Sequence, residues 1–131
     1  VDGAIDQLAQ LEPIPSPRGK LEAMLEWALR VRLEGGLPFL PSTSAHVREM
    51  LMRNVKYVMR VLKLNGQLEK LVKDAQKNGE IDAALPSDVV LYSYYARTCD
   101  PAVDYLQKFS KMSTDEIVKY MLHVAFNGFT K

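Results

Sequence analysis

The sequence predicts an all-α fold: an antiparallel bundle of about five to seven helices arranged around one long central helix. Three observations predict it. The β-branched residues recur at helical rather than alternating spacing, so no segment reads as a strand. Proline, glycine and Ser/Asp signals cut the chain into pieces of helical length. The stretch 42–82 is apolar over about half its helical circumference, wider than the roughly 100° stripe of a surface helix.

That stretch, Ser42 to Asp82, reads as one helix ended by Asn78-Gly79. At roughly 100° per residue, Val47, Leu51, Val55, Val58, Leu62 and Val72 share one arc. Met50, Tyr57, Val61, Leu64, Leu68, Leu71 and Ala75 share the adjoining arc, and the charged residues collect opposite. So wide an apolar face calls for neighbours on two sides, as a central post would have. Ser42, Thr43 or Ser44 is the expected cap. Asn65-Gly66 reads as a kink or short break, because both residues disfavour helix interiors. Asn54 has no breaker beside it. Its amide either meets a core partner or faces a cavity where a ligand meets it.

From the start of the chain, Ala4 to Leu11 is a short amphipathic segment, stopped by Pro13, Pro15 and Pro17. Arg18 to Leu33 is the next helix, with Leu21, Leu25, Ala28 and Arg32 in one row and Met24, Trp27 and Val31 in the next. Trp27 is a core filler or an aromatic wall, and its indole N–H needs an acceptor in either case. Residues 34–41 form a loop by their glycines and prolines, and Leu37, Phe39 and Leu40 are expected to fold it back over the core. Pro86-Ser87-Asp88 opens a helix capped by Ser87, apolar nearly all round. Asp100-Pro101, a cap followed by a first-turn proline, breaks or sharply kinks the chain before a segment reaching Met112. Ser113-Thr114-Asp115-Glu116 is a capping box, and the last helix ends at Gly128. Both its sides are apolar, one suited to the core and the other to a second copy of the chain.

The chain has 131 residues, a length that suits a single domain, 1–131, with one core. A net charge of +1 with interleaved signs gives no nucleic-acid-binding surface. A lone Cys99 excludes an intrachain disulfide and a cysteine-based zinc site. It fits a buried structural thiol in a reducing, cytoplasmic setting. No apolar run reaches about 18 residues, so no transmembrane helix is expected. The first residues lack a basic stretch and an apolar core, so they are no signal peptide, and Val1 in place of an initiator Met suggests a piece of a longer protein.

No catalytic signature is present. His46-x-x-Glu49 offers two potential ligands, too few for a metal site, and His123 lies far along the chain. No glycine-rich phosphate loop or nucleophile elbow occurs. No catalytic residue, metal or cofactor is therefore expected.

The order of features does carry a likeness. A long helix ends in Ala75-Gln76-Lys77-Asn78-Gly79-Glu80-Ile81-Asp82 and leads to an apolar helix begun by Pro86-Ser87-Asp88. A last helix closes in Ala125-Phe126-Asn127-Gly128-Phe129. This order resembles the C-terminal regulatory domain of the tetracycline-repressor (TetR) family of transcription factors, over essentially the whole chain. The resemblance implies an all-α effector-binding domain that dimerises through its last two helices, with a mostly apolar pocket among the preceding ones. Ligand binding would control DNA affinity through a helix-turn-helix domain preceding Val1. These 131 residues lack that domain and should not bind an operator alone. The Asp100-Pro101 interruption departs from the family pattern.

Two sites are expected on this basis. The first is a pocket for a small, largely apolar effector: Met50 and Val58 on the floor, Trp27, Tyr92 and Tyr95 as walls, and Asn54 orienting the ligand's polar end. A filled core is the competing expectation. The second is a homodimer face of Tyr120, Met121, Val124, Ala125 and Gly128. The competing function is a helical protein–protein interaction module without a small-molecule pocket.

Overall fold

A computed structural model describes residues 2–35 and 53–129. Among them are six α-helices and no strand: α1 (Asp2–Gln10), α2 (Pro17–Leu33), α3 (Val55–Lys77), α4 (Ser87–Thr98), α5 (Pro101–Phe109) and α6 (Thr114–Asn127). The helices pack as a bundle around one apolar core to which all six contribute.

Local side-chain chemistry sets most helix ends. Ser16 caps α2 by accepting from Gly19 N at 3.0 Å, with Pro17 at the first helical position. Asp100 Oδ1 accepts from Ala102 N at 2.9 Å, so Asp100-Pro101 is a true break between α4 and α5. Ser113 and Glu116 form the reciprocal capping box expected of them. The helix beginning at Ser87 has Pro86 at its cap position and no side-chain cap bond, which corrects the assignment of Ser87 as cap.

The long helix differs from expectation in two ways. It starts at Val55, because Asn54 is its N-cap and accepts from Tyr57 N at 3.2 Å. A capping amide with extended backbone cannot lie on the apolar arc of a continuous helix, so Asn54 marks a start rather than an interruption. The helix then runs unbroken through Asn65-Gly66, where a kink was expected. Asn65 there accepts a hydrogen bond from Tyr95 Oη at 3.3 Å, so its amide is engaged by α4. The expected caps Ser42, Thr43 and Ser44, the floor residue Met50, the pair His46 and Glu49, and the loop apolars Leu37, Phe39 and Leu40 lie outside the described residues.

The hub is α2, not α3. Helix α2 packs on α1, α3, α4 and α6. Its Leu21, Met24, Leu25, Ala28 and Leu29 are essentially fully buried. On α3 only the part from Leu64 onward is sealed, by Leu64, Leu68, Val72 and Ala75, whereas Val55, Met59 and Leu62 are exposed. Arg32, which the periodicity put in an apolar row, ends that row with a purpose. It donates to Thr98 O at 3.2 Å and to Asp104 Oδ2 at 2.7 Å, tying α2 to the α4–α5 break. Arg30 likewise holds Asp115 at the start of α6, at 2.7 Å.

One buried hydroxyl ties α4 to α2 and another is satisfied within α4: Tyr94 Oη donates to Leu21 O at 2.8 Å, and Thr98 Oγ1 donates back to Tyr95 O at 2.6 Å. Cys99 follows as the C-cap of α4 and is exposed, because the helix ends there before the Asp100-Pro101 break. It is not the buried thiol expected. No helix among the described residues is long and apolar enough to cross a membrane.

Candidate functional site

The end of α3 creates the site. Gly79 takes φ +77°, a left-handed conformation that glycine adopts without a Cβ clash, and reverses the chain. Glu80 N then bonds Ala75 O at 2.8 Å and Ile81 N bonds the same oxygen at 3.2 Å. Gln76 Nε2 donates to Asp82 O at 3.1 Å and Leu85 O at 2.8 Å, and Asp82 Oδ1 accepts from Ala84 N at 2.9 Å. The segment 80–85 is therefore a braced wall.

Opposite it stand α4 and the end of α6. Between them lies a cleft of about 550 Å³. Ile81 and Leu85 supply its apolar surface from the wall, Val89 and Val90 from α4, and Val124, Ala125 and Phe126 from α6. Val72 and Tyr94 form the inner part, where both belong to the core. Burial raises the Tyr94 phenol pKa well above the usual tyrosine value, with neighbouring Tyr95 adding to it, and its one O–H is already donated to Leu21 O, so Tyr94 offers the cleft its ring rather than a donor.

The polar groups are few. Arg18 donates through Nε to Glu22 Oε1 at 2.8 Å and through Nη2 to Asn127 Oδ1 at 3.4 Å, with its guanidinium 5.7 Å from the Phe126 ring centroid. Arg97 pairs with Asp100 at 3.4 Å. Ser93 and Asp82 complete the rim. Glu80 accepts from Ser16 Oγ through Oε2, which ties the wall to the cap of α2. Its other oxygen, Oε1, is buried and has no hydrogen-bond partner among the described residues.

None of Trp27, Asn54, Val58, Tyr92 or Tyr95 lines this cleft. Trp27 is half-buried against α1, so close that a side-chain carbon at Gly3 would sit 3.7 Å from its ring. Asn54 is exposed and spent on its cap bond. Val58 is half-buried in the first turns of α3. Tyr92 is 63% exposed because α4 turns Leu91 and Tyr94 inward instead. Tyr95 is half-buried against Asn65, and burial, with Tyr92 adding to it, pushes its pKa up to about 12.

No family model, curated protein or solved structure matches the chain. The site is read from its own residues.

The residues expected at a dimer face divide. Tyr120 is half-exposed and Gly128 exposed, ending α6 at φ +71°. Met121 is core, because Ile117, Val118 and Met121 all turn inward on α6. Val124 and Ala125 line the cleft. Sequence reasoning named Glu80 only within a motif and missed Ser16, Arg18 and Arg97. Ser16-Pro17 was a legible cap signal, but its contact with Glu80 spans 64 positions and leaves no local trace.

Proposed function

We propose that the chain is the effector-binding and dimerisation domain of a TetR-like transcriptional repressor. It takes a small, largely apolar ligand that controls the DNA affinity of a domain outside these residues. The carrying observation is the cleft. Its volume of about 550 Å³ falls within the roughly 300–1,000 Å³ typical of small-molecule sites. Its lining is aliphatic and aromatic with a few placed polar groups, the mixture such sites use. Because α6 forms one side, an occupant bears directly on the helix that also carries Tyr120.

A thermal-shift screen of lipophilic small molecules tests this reading. A ligand bound only by the folded state raises the melting temperature, and at 100-fold its Kd it adds about 2.7 kcal/mol. Ala125→Trp, which fills the cleft, is expected to abolish the shift. Hits that stabilise the Trp variant equally would place binding elsewhere and sink the proposal.

Dimerisation is proposed through α5 and α6. Tyr105 and Phe109 stack with ring centroids 6.5 Å apart, and Phe109 is 79% exposed. Met112 and Tyr120 are exposed on the same two-helix unit. Apolar surface of this kind marks interaction sites. Sedimentation velocity is expected to give a dimer for the parent and a monomer for Phe109→Glu. A parent that stays monomeric at high concentration favours the second reading, a helical interaction module whose aromatic patch receives a different protein.

A further inference from the structure

We propose that the ligand of the cleft carries a cationic N–H donor, an ammonium on an apolar body, and that Glu80 receives it. The inference deepens the effector-site reading and rests on it. Glu80 is the charged lining residue with a buried atom left without a partner among the described residues. Oε2 is satisfied by Ser16 Oγ, but Oε1 is buried without a partner among the described residues. A buried acceptor left unmade is costly, and more so on a charged group. The other charged residues of the lining each have a partner on the protein: Arg18 bonds Glu22 and Asn127, Arg97 pairs with Asp100, and Asp82 Oδ1 takes the Ala84 N–H. An incoming N–H donor would therefore meet its complement at Glu80, whereas an incoming carboxylate there would meet a like charge.

The Glu80 carboxylate is fixed for this task. The backbone at Glu80 and Ile81 is locked onto Ala75 O, and Ser16, itself fixed by capping α2, holds one oxygen in place. A charge-assisted hydrogen bond to a preset acceptor gains more than one to a mobile group. The apolar walls from Val89, Val90, Ala125 and Phe126 suit the hydrocarbon part of such a molecule.

Isothermal titration calorimetry on the full chain tests this with three probes of equal body: 4-phenylbutylamine, 4-phenylbutanol and 5-phenylpentanoate. The amine is expected to bind about tenfold more tightly than the alcohol, and the carboxylate most weakly. Glu80→Gln should reduce the amine's advantage over the alcohol to within about twofold, and Ala125→Trp should remove all three. The ranking on the unaltered protein stands apart from whether any variant folds. Equal binding of amine and alcohol, or tightest binding of the carboxylate, overturns the ammonium assignment while leaving the cleft as the effector site. Amine binding that survives Ala125→Trp overturns it too. If none of the three binds while the lipophilic screen yields cleft ligands, the assignment of an ammonium head fails alone; if the screen is also empty, the effector-site reading fails with it.

Discussion

Leu25→Ala is expected to destabilise the protein by about 3 kcal/mol, within the roughly 2–5 kcal/mol range of Leu→Ala changes in well-packed cores. Leu25 is 0% exposed at the middle of α2, which packs on four other helices. Removing its isobutyl group forfeits the transfer energy of those carbons. It also leaves a void that four neighbours cannot all close at once. The contrasting change is Leu62→Ala on α3. Leu62 is 63% exposed, and the expected cost is within about 0.5 kcal/mol. Urea denaturation of both variants decides which helix is the hub. A large loss at Leu62 with a small one at Leu25 would return the central role to α3.

That contrast shows what periodicity reports. The sequence reading made the long helix central because its apolar arc was wide. Periodicity measures the width of an arc and says nothing of what covers it. Val55, Met59 and Leu62 extend that arc yet are exposed, while the narrower-looking α2 is sealed on several sides. Helix ends were legible for the opposite reason. Asp100-Pro101, Ser113 with Glu116, Gly79 and Gly128 act on backbone groups within a few residues of themselves, so the signal and its effect share one window of sequence. Asn54 was misread because an amide that caps and an amide that interrupts look alike until the start of the helix is known.

The candidate site was the least legible part. Three aromatic residues and an asparagine were grouped by their chemical type, but Tyr92 and Tyr95 belong to a different side of α4 from Tyr94, the tyrosine that reaches the cleft. A turn of 100° per residue separates neighbours in sequence onto different faces. Which face meets the braced segment 80–85 depends on Gln76, Gly79 and the Ser16–Glu80 contact together, and no single window contains all of them.

Raising the pH above about 10 is expected to unfold the protein steeply, through Tyr94 and Tyr95. Burial raises both phenols above the usual 10.0, Tyr95 to about 12 and Tyr94 further. Their folded-state pKa values exceed the unfolded ones. Between pH 10 and the folded pKa, the unfolded chain has released these protons and the native state has not. The unfolded state then binds fewer protons, so stability falls as pH rises. The contribution is whole below pH 10 and is lost progressively above it. For the fully buried Tyr94, the slope approaches about 1.4 kcal/mol per pH unit. Tyr95 is only partly buried and adds less. Tyr94→Phe removes the titrating group along with the bond to Leu21 O, whose net worth is about 0.5–1.5 kcal/mol. The variant should therefore be less stable than the parent at pH 8, and the two stabilities should converge and cross between pH 10 and 12. Tyr92→Phe, on an exposed ring, should track the parent at pH 8 and depart from it only slightly above pH 10, where Tyr92 adds to the Tyr95 shift. Urea midpoints measured from pH 8 to 12 check this. A Tyr94→Phe curve that runs parallel to the parent's would show that the buried phenol does not govern the alkaline transition.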